Sequence, residues 1–284
     1  MILVTTKLDG KKLSNEIKEE LRERVYRLQD KGITPCLAVV LVGDDPASQV
    51  YIRNKKRAAQ KVGVKTLDNV LPASTSENEI IDLIYSLNND PQVHGILVQL
   101  PLPQGINEDR VIQAILPSKD VDGFHPQNIG KLFMNKGELA PCTPNGIMHL
   151  LAKYGIQLDG KRVVIVGRSK IVGMPMIAMM LNANATVTVT HSHTRNLKEI
   201  TREADVVIVA VGKAEFLTGD YFKSNAVVID VGMNRNEAGK LVGDVEAAST
   251  ADKVAFMTPV PGGVGPMTIA MLLKQTIEIA ERSI

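Results

Sequence analysis

The chain has no tryptophan, five tyrosines and five phenylalanines, so aromatic residues occupy only 4% of its 284 positions. Its core must therefore come from aliphatic side chains, and the runs that supply it, Cys36–Val42 (CLAVVLV) and Val163–Val166 among them, are rich in β-branched residues suited to strands. Two cysteines, Cys36 and Cys142, are too few and too far apart for a disulfide framework; they read as buried thiols of a reducing compartment. No segment approaches ~18 uninterrupted apolar residues, and the opening MILVTTKLDGKK lacks a basic stretch followed by a long apolar one. Neither membrane insertion nor export is expected, and a cytoplasmic protein is. The net charge of +2 leaves no electrostatic case for nucleic acid or an acidic membrane, and Cys, His and Asp show no metal-ligand spacing. A length of 284 residues is long for one core, so two domains are expected.

What is present is organised around Gly160–Met176 (GKRVVIVGRSKIVGMPM). A β-branched run stops at Gly167 and a helix resumes near Gly173, which describes a strand, a tight turn and a helix N-terminus, the arrangement that gathers backbone N–H groups for a phosphate. Ser169 stands where the second glycine of the usual G-x-G-x-x-G fingerprint falls, and the same glycine pair also serves simple helix–sheet packing.

Upstream, Leu13, Ile17, Leu21, Val25 and Leu28 recur at helical spacing. Strand Cys36–Val42 precedes a helix from Pro46 to Lys61, with Asp45 as cap and Pro46 in its first position. Leu67–Leu71 reads as a strand, Ser76–Glu79 as a capping box, and Gly95–Leu100 as another strand. The βαβαβ order implies parallel strands joined by helical crossovers. Pro117–Pro126 is hinge-like, and a helix begins at Thr143-Pro144 with Thr143 as cap. Further strands are expected at Arg162–Val166, Thr186–Thr190, Val206–Val211, Ala226–Val231 and Val254–Met257, forming a Rossmann-like sheet, with helices after Gly173 and around Asn196–Glu203. Thr258–Pro266 is too rich in proline and glycine for a regular element, and a last helix, Met267–Arg282, should return to the first domain. The fold expected is thus α/β, an N-terminal catalytic domain of residues 1–142 completed by 267–284 and a dinucleotide-binding domain of 143–266, with a substrate cleft between them.

Four polar residues sit oddly in this pattern. Ala47, Tyr51, Lys55, Ala58 and Val62 share one helix face, so a lysine interrupts an apolar stripe; partial desolvation would make Lys55 a usable base, while snorkelling of its ammonium to solvent explains the same spacing. Gln99 ends an apolar strand at its carboxyl end, where open α/β sheets place ligands, although an amide that ties down a loop would sit there too. Asp120 and Asp122 flank Val121 in a loop closed by Gly123; one can form an Asx-turn while the other offers a carboxylate to a ligand's N–H pair, and turn chemistry alone accounts for both as well. His125, His149, His191 and His193 have no acid or nucleophile at informative spacing and read as structural or solvated.

Six segments together carry a family resemblance. Asp45–Lys55 (DPASQVYIRNK), Val98–Pro103 (VQLPLP), Lys119–His125 (KDVDGFH), Pro141–Gly146 (PCTPNG), Gly167–Gly173 (GRSKIVG) and Thr258–Thr268 (TPVPGGVGPMT) resemble, in order, the bifunctional methylenetetrahydrofolate dehydrogenase/methenyltetrahydrofolate cyclohydrolase family. The resemblance implies two α/β domains with an active-site cleft, a homodimer, and a folate substrate. It places the family's substrate tyrosine at Tyr51, its catalytic lysine at Lys55, that lysine's glutamine partner at Gln99, its pterin-binding aspartate at Asp122 and its folate-closing loop at Pro261 and Gly262. It also implies 2′-phosphate contacts at Arg168 and Ser192, in a cofactor site that includes Gly167, Ser169 and Gly173. NADP is expected over NAD, because no carboxylate follows the second strand of the dinucleotide domain: His191-Ser192-His193-Thr194-Arg195 puts hydroxyls and a cation there, and Arg168 adds a second charge. Two alternatives stand beside this reading. One is a catalytically inactive folate-binding regulator on the same scaffold, and the other an oxidoreductase of 2-oxo or hydroxy acids, whose His or Arg pair has no place in this sequence.

Overall fold

Cys36–Val42 is buried at every position, as a strand covered on both faces must be. In the computed structural model of the chain, which describes residues 4–283, that run is the central strand of a three-stranded sheet. The elements in order are β1 (Thr6–Lys7), α1 (Gly10–Gln29), β2 (Cys36–Val42), α2 (Pro46–Val62), β3 (Lys65–Leu71), α3 (Glu77–Asn89), β4 (Gly95–Val98), α4 (Glu108–Ala114), α5 (Pro126–Phe133) and α6 (Cys142–Lys153). There follow β5 (Arg162–Val166), α7 (Gly173–Asn182), β6 (Thr186–Thr190), α8 (Leu197–Arg202), β7 (Val206–Val209), β8 (Val227–Asp230), β9 (Asn234–Arg235), β10 (Leu241–Val242), α9 (Ala247–Thr250), β11 (Phe256–Met257) and α10 (Val264–Glu281).

The chain divides into two compact units. One comprises residues 15–131, 137–142 and 269–284 and holds a parallel sheet in the order β3-β2-β4. One face of this sheet packs Ala38, Val40, Ile96 and Val98 against Ile80, Ile84 and Leu87 of α3 and Val111 and Ile112 of α4. The α3 start is the expected capping box: Ser76 Oγ accepts from Glu79 N while Glu79 Oε2 accepts from Ser76 N. Within the same unit Arg24 of α1 makes a two-pronged ion pair with Glu281 of α10, at 2.9 and 2.6 Å. Beyond β4, the Ile96 N–H donates to the Lys119 carbonyl and Ile96 bridges Asp120, which seats the start of the 120–125 loop at the sheet edge.

The other unit comprises residues 1–14, 132–136 and 143–268 and is built on an all-parallel six-stranded sheet, β1-β11-β8-β7-β5-β6, with a small β9–β10 hairpin. Val164, Val166, Val207, Val209 and Val228 pack with Leu217, Phe222 and Val254. β6 lies at the edge, and its threonines 186 and 188 are exposed.

Several local expectations need correction. The stretch read as a hinge ends in α5, because Pro126 opens a helix rather than a loop, its missing N–H being harmless in a first turn. α10 starts at Val264, three residues before the expected Met267, since Pro266 is likewise tolerated in the first turn. Thr143 lies inside α6 rather than capping it; its hydroxyl meets that of Thr268 at 2.9 Å. The strand expected to reach Leu100 stops at Val98. α4, which its Asn107 cap and the acidic Glu108 and Asp109 could have announced, the β9–β10 hairpin and β1, which pairs with β11, were not expected.

Candidate active site

α2 presents Lys55, Ala58 and Val62 to the interior and Lys56, Arg57 and Lys61 to solvent, as the spacing requires; the side chains of Pro46, Ala47, Ser48 and Val50 lie outside the described residues. Lys55 is only 7% exposed, and its Nζ donates to Gln99 Oε1 at 3.1 Å. Snorkelling is thereby set aside, because an ammonium that reaches bulk water leaves its residue more exposed than this. Tyr51, one turn earlier and half-buried, places its ring centroid 5.9 Å from the same Nζ, and burial pushes its phenol above the ordinary range. Gln99 sits just past β4: its N–H donates to the Val40 carbonyl at 2.9 Å, and its Nε2 donates to the Leu100 carbonyl at 2.7 Å. The amide therefore ties down the local chain and also receives the lysine.

The two aspartates divide their roles. Asp120 is 1% exposed and accepts from Gly123 N at 3.0 Å, His125 N at 2.8 Å and Asn128 Nδ2 at 2.9 Å. It is the loop's clamp. Asp122 is half-buried, and burial raises its carboxyl above the usual range; the Lys55 charge opposes that rise, Asp120 adds to it, and a hydrogen bond with Cys142 opposes it. The Cys142 thiol, fully buried and raised well above its ordinary range by the same desolvation, also lies 3.2 Å from the Val121 carbonyl. Gln275 of α10 completes the support, donating to Val121 O at 2.6 Å and accepting from Ala140 N at 2.9 Å. Tyr51, Lys55, Gln99 and Asp122 thus belong to one unit, with a cation, an acceptor-rich carboxylate and an aromatic face close together. Sequence reasoning passed over Cys142 and Gln275 in this setting, since neither stands at any local spacing from Asp122.

In the other unit, Gly167 and Gly173 close the turn between β5 and α7. Gly167 has φ +122°, and a Cβ there would stand 2.2 Å from the Ala210 carbonyl oxygen; one on Gly173 would stand 2.3 Å from the Gly167 oxygen. Both glycines are required by close backbone approach, the cradle a dinucleotide phosphate needs. The Ser169 hydroxyl accepts from Val172 N at 3.2 Å and Gly173 N at 3.4 Å, so it shapes the turn from within. Arg168, Ser192 and Arg195 are exposed, the latter two in the turn after β6 that is held by His191 N donating to Thr194 Oγ1. Gly262 has φ +105°, its carbonyl accepts from Lys11 N at 2.9 Å, and Pro261 beside it is exposed. The four histidines expected to be structural or solvated have backbone partners or none of chemical interest: Nδ1 of His125 accepts from Gln127 N, Nδ1 of His191 from His193 N, and that of His149 meets the Asn145 carbonyl.

Comparison with known proteins matches residues 8–122 to the tetrahydrofolate dehydrogenase/cyclohydrolase catalytic domain and residues 141–284 to the NAD(P)-binding domain of the same family. The bifunctional protein FolD of Ligilactobacillus salivarius is 59% identical over 282 residues, covering 99% of both chains. The crystal structure of the bifunctional FolD methylenetetrahydrofolate dehydrogenase/cyclohydrolase from Campylobacter jejuni is 52% identical, with a TM-score of 0.97 and coverage of 99% of this chain and 100% of that one. A Trypanosoma brucei FolD complexed with NADP cofactor and inhibitor is 37% identical, with a TM-score of 0.94 over 99% and 98% of the two chains. The two matched segments span most of the sequence, and the chain belongs to the tetrahydrofolate dehydrogenase/cyclohydrolase family.

Proposed function

We propose that the chain oxidises 5,10-methylenetetrahydrofolate to the 5,10-methenyl cation with NADP and hydrolyses that cation to 10-formyltetrahydrofolate, with Tyr51, Lys55, Gln99 and Asp122 as its working residues. The observation that carries this reading is the buried Lys55 ammonium held by Gln99 beside the Tyr51 ring. Tyr51 offers an aromatic face to the folate ring system, and Asp122 accepts hydrogen bonds from the pterin's amino and ring N–H donors. In hydrolysis, water adds to the methenyl carbon and gives up a proton; the bond from that carbon to N5 then breaks as the carbinol hydroxyl loses its proton and N5 gains one. In its amine form Lys55 takes the proton that the adding water gives up and, as the ammonium that donates to Gln99, returns a proton to N5, while the carbinol proton leaves to solvent. Pro261 and Gly262 belong to the loop that closes over the folate.

NADP, when bound, supplies the hydride acceptor. Gly167, Ser169 and Gly173 hold its phosphates at the turn whose glycines leave no room for a Cβ, and Arg168, Ser192 and Arg195 take the 2′-phosphate that an NAD-type carboxylate would repel. A homodimer in the cytoplasm completes the reading; among the described residues no helix is long and apolar enough to cross a membrane. An inactive folate-binding regulator finds no support among relatives this similar. The test is absorbance of methenyltetrahydrofolate, formed from the methylene compound with NADP and then lost by hydrolysis without cofactor. A folded protein that does neither would refute the proposal.

A further inference from the structure

Asp244 is completely buried, yet every partner found for its carboxylate is a neutral N–H group. Oδ2 accepts from Val211 N at 2.7 Å and Gly212 N at 3.0 Å; Oδ1 accepts from Lys213 N at 2.9 Å and Asn234 Nδ2 at 2.8 Å. Three consecutive backbone donors converge on one side chain more than 30 residues further on, which is costly to bury and is compensated only while all the donors are in place. The clamp is itself anchored. The Asp244 N–H donates to Asp230 Oδ1 at 2.9 Å, and Asp230 N donates to Thr258 Oγ1 at 2.7 Å. A Cβ on Gly232 would lie 2.4 Å from both the nitrogen and Oδ1 of Asp244, so glycine at 232 leaves the room that the carboxylate occupies.

The clamped segment has a particular address. Val211–Lys213 follows β7 at the carboxyl end of the sheet, between β5 and β8. Ala210, immediately before it, donates to the Val166 carbonyl at 2.8 Å and carries the oxygen that denies Gly167 a Cβ. The segment is therefore continuous with the glycine turn, on the side of an open α/β sheet where ligands bind.

We propose that Asp244 is a positioning residue for the dinucleotide site: by drawing in three successive N–H groups it sets the Val211–Lys213 backbone as the wall beside the glycine turn. This rests on the reading of this unit as the NADP-binding one. The second activity provides an internal control, because hydrolysis of the methenyl cation uses no cofactor and draws on Lys55 in the other unit.

Asp244→Asn is isosteric but turns half of the acceptor edge into a donor facing N–H groups. We expect the folded variant to bind NADP at least tenfold more weakly in a calorimetric titration, to lose dehydrogenase kcat/KM in proportion, and to keep cyclohydrolase activity within twofold of wild type. Unchanged NADP affinity in the folded variant, or parallel loss of both activities, overturns the role. If Asp244→Asn does not fold, Asn234→Ala removes one donor and leaves the charge; it should weaken NADP two- to fivefold with the cyclohydrolase unchanged, and unaltered affinity overturns the role there too. Failure of the wild-type protein to bind NADP would overturn the cofactor reading itself, and this role with it.

Discussion

The Gln99 side chain donates to the Leu100 carbonyl at 2.7 Å through Nε2, so its other end, Oε1, is the atom presented to the Lys55 ammonium 3.1 Å away. A backbone carbonyl thereby chooses the orientation of the amide that meets the lysine. Lys55→Met should abolish hydrolysis of methenyltetrahydrofolate, because the side chain that takes the water's proton in the proposed hydrolysis is then gone. Gln99→Leu should leave a buried donor without its acceptor, a loss of roughly 1–3 kcal/mol that would lower hydrolysis about five- to 150-fold. A correctly folded Lys55→Met enzyme hydrolysing at near wild-type rate would remove Lys55 from its assigned role.

Asp122 should govern folate affinity and Asp120 the loop that carries it. Asp122→Ala is expected to raise the folate KM or remove activity, at roughly 1–3 kcal/mol for a ligand donor left without its acceptor, while NADP binding stays near normal. Asp120→Ala removes the carboxylate that accepts from Gly123, His125 and Asn128, and should lower both thermal stability and folate affinity. Titration of both ligands against each variant checks this; equal loss of folate and NADP in Asp122→Ala would argue for loop collapse instead.

Cofactor choice should rest on Arg168. Removing it by Arg168→Ala should weaken NADP by about 1.5–3 kcal/mol, the worth of a charged hydrogen bond, with much less effect on NAD. Equal kcat/KM with the two cofactors in the wild type, or equal losses in the variant, would contradict the assignment.

Two buried groups should make stability depend on pH in opposite directions. Burial pushes the Asp230 carboxyl up to about 6, so below that pH the native state holds a proton that the unfolded chain releases near 4. Its contribution to stability is fully present below pH ~4 and is lost as pH rises through about 6. His94, 7% exposed, has its imidazole pushed down by burial and by the Lys119 charge, and Nδ1 accepts from Cys36 N. Its stabilisation is present above ~6.5 and is lost as pH falls below that, because the unfolded chain takes up the proton first. Carboxyl and imidazole NMR titrations should give midpoints near 6 for Asp230 and below 6.5 for His94; an Asp230 midpoint near 4 would rule out the first effect.

Short-range pattern was enough for much of the architecture. The bounds of β5 and β6 are those expected from Arg162–Val166 and Thr186–Thr190, and Ser76 and Glu79 form the capping box their spacing announces. Lys55 was recognisable as unusual because a helix repeats every 3.6 residues and brings residues 51, 55, 58 and 62 onto one face. The six family segments then joined Tyr51, Lys55, Gln99 and Asp122 into one expected site. Periodicity has no reach beyond its own element, however. β1 is two residues long, too short to show alternation, and it is a strand because it pairs with β11, itself only the last two residues of the expected Val254–Met257.

By itself, then, the sequence determined the alternation of strands and helices, the strand–turn–helix around Gly167 and Gly173, and the residue types available for folate and cofactor chemistry. Only the tertiary structure decided that Asp120 is the clamp of the loop, that Gln99 both ties the chain and holds the lysine, that Cys142 meets Asp122, and that Asp244 reaches back to Val211–Lys213. The physical reason is the same in each case. A buried polar group must find its hydrogen-bond partners, and packing, rather than local spacing, determines which distant residues supply them.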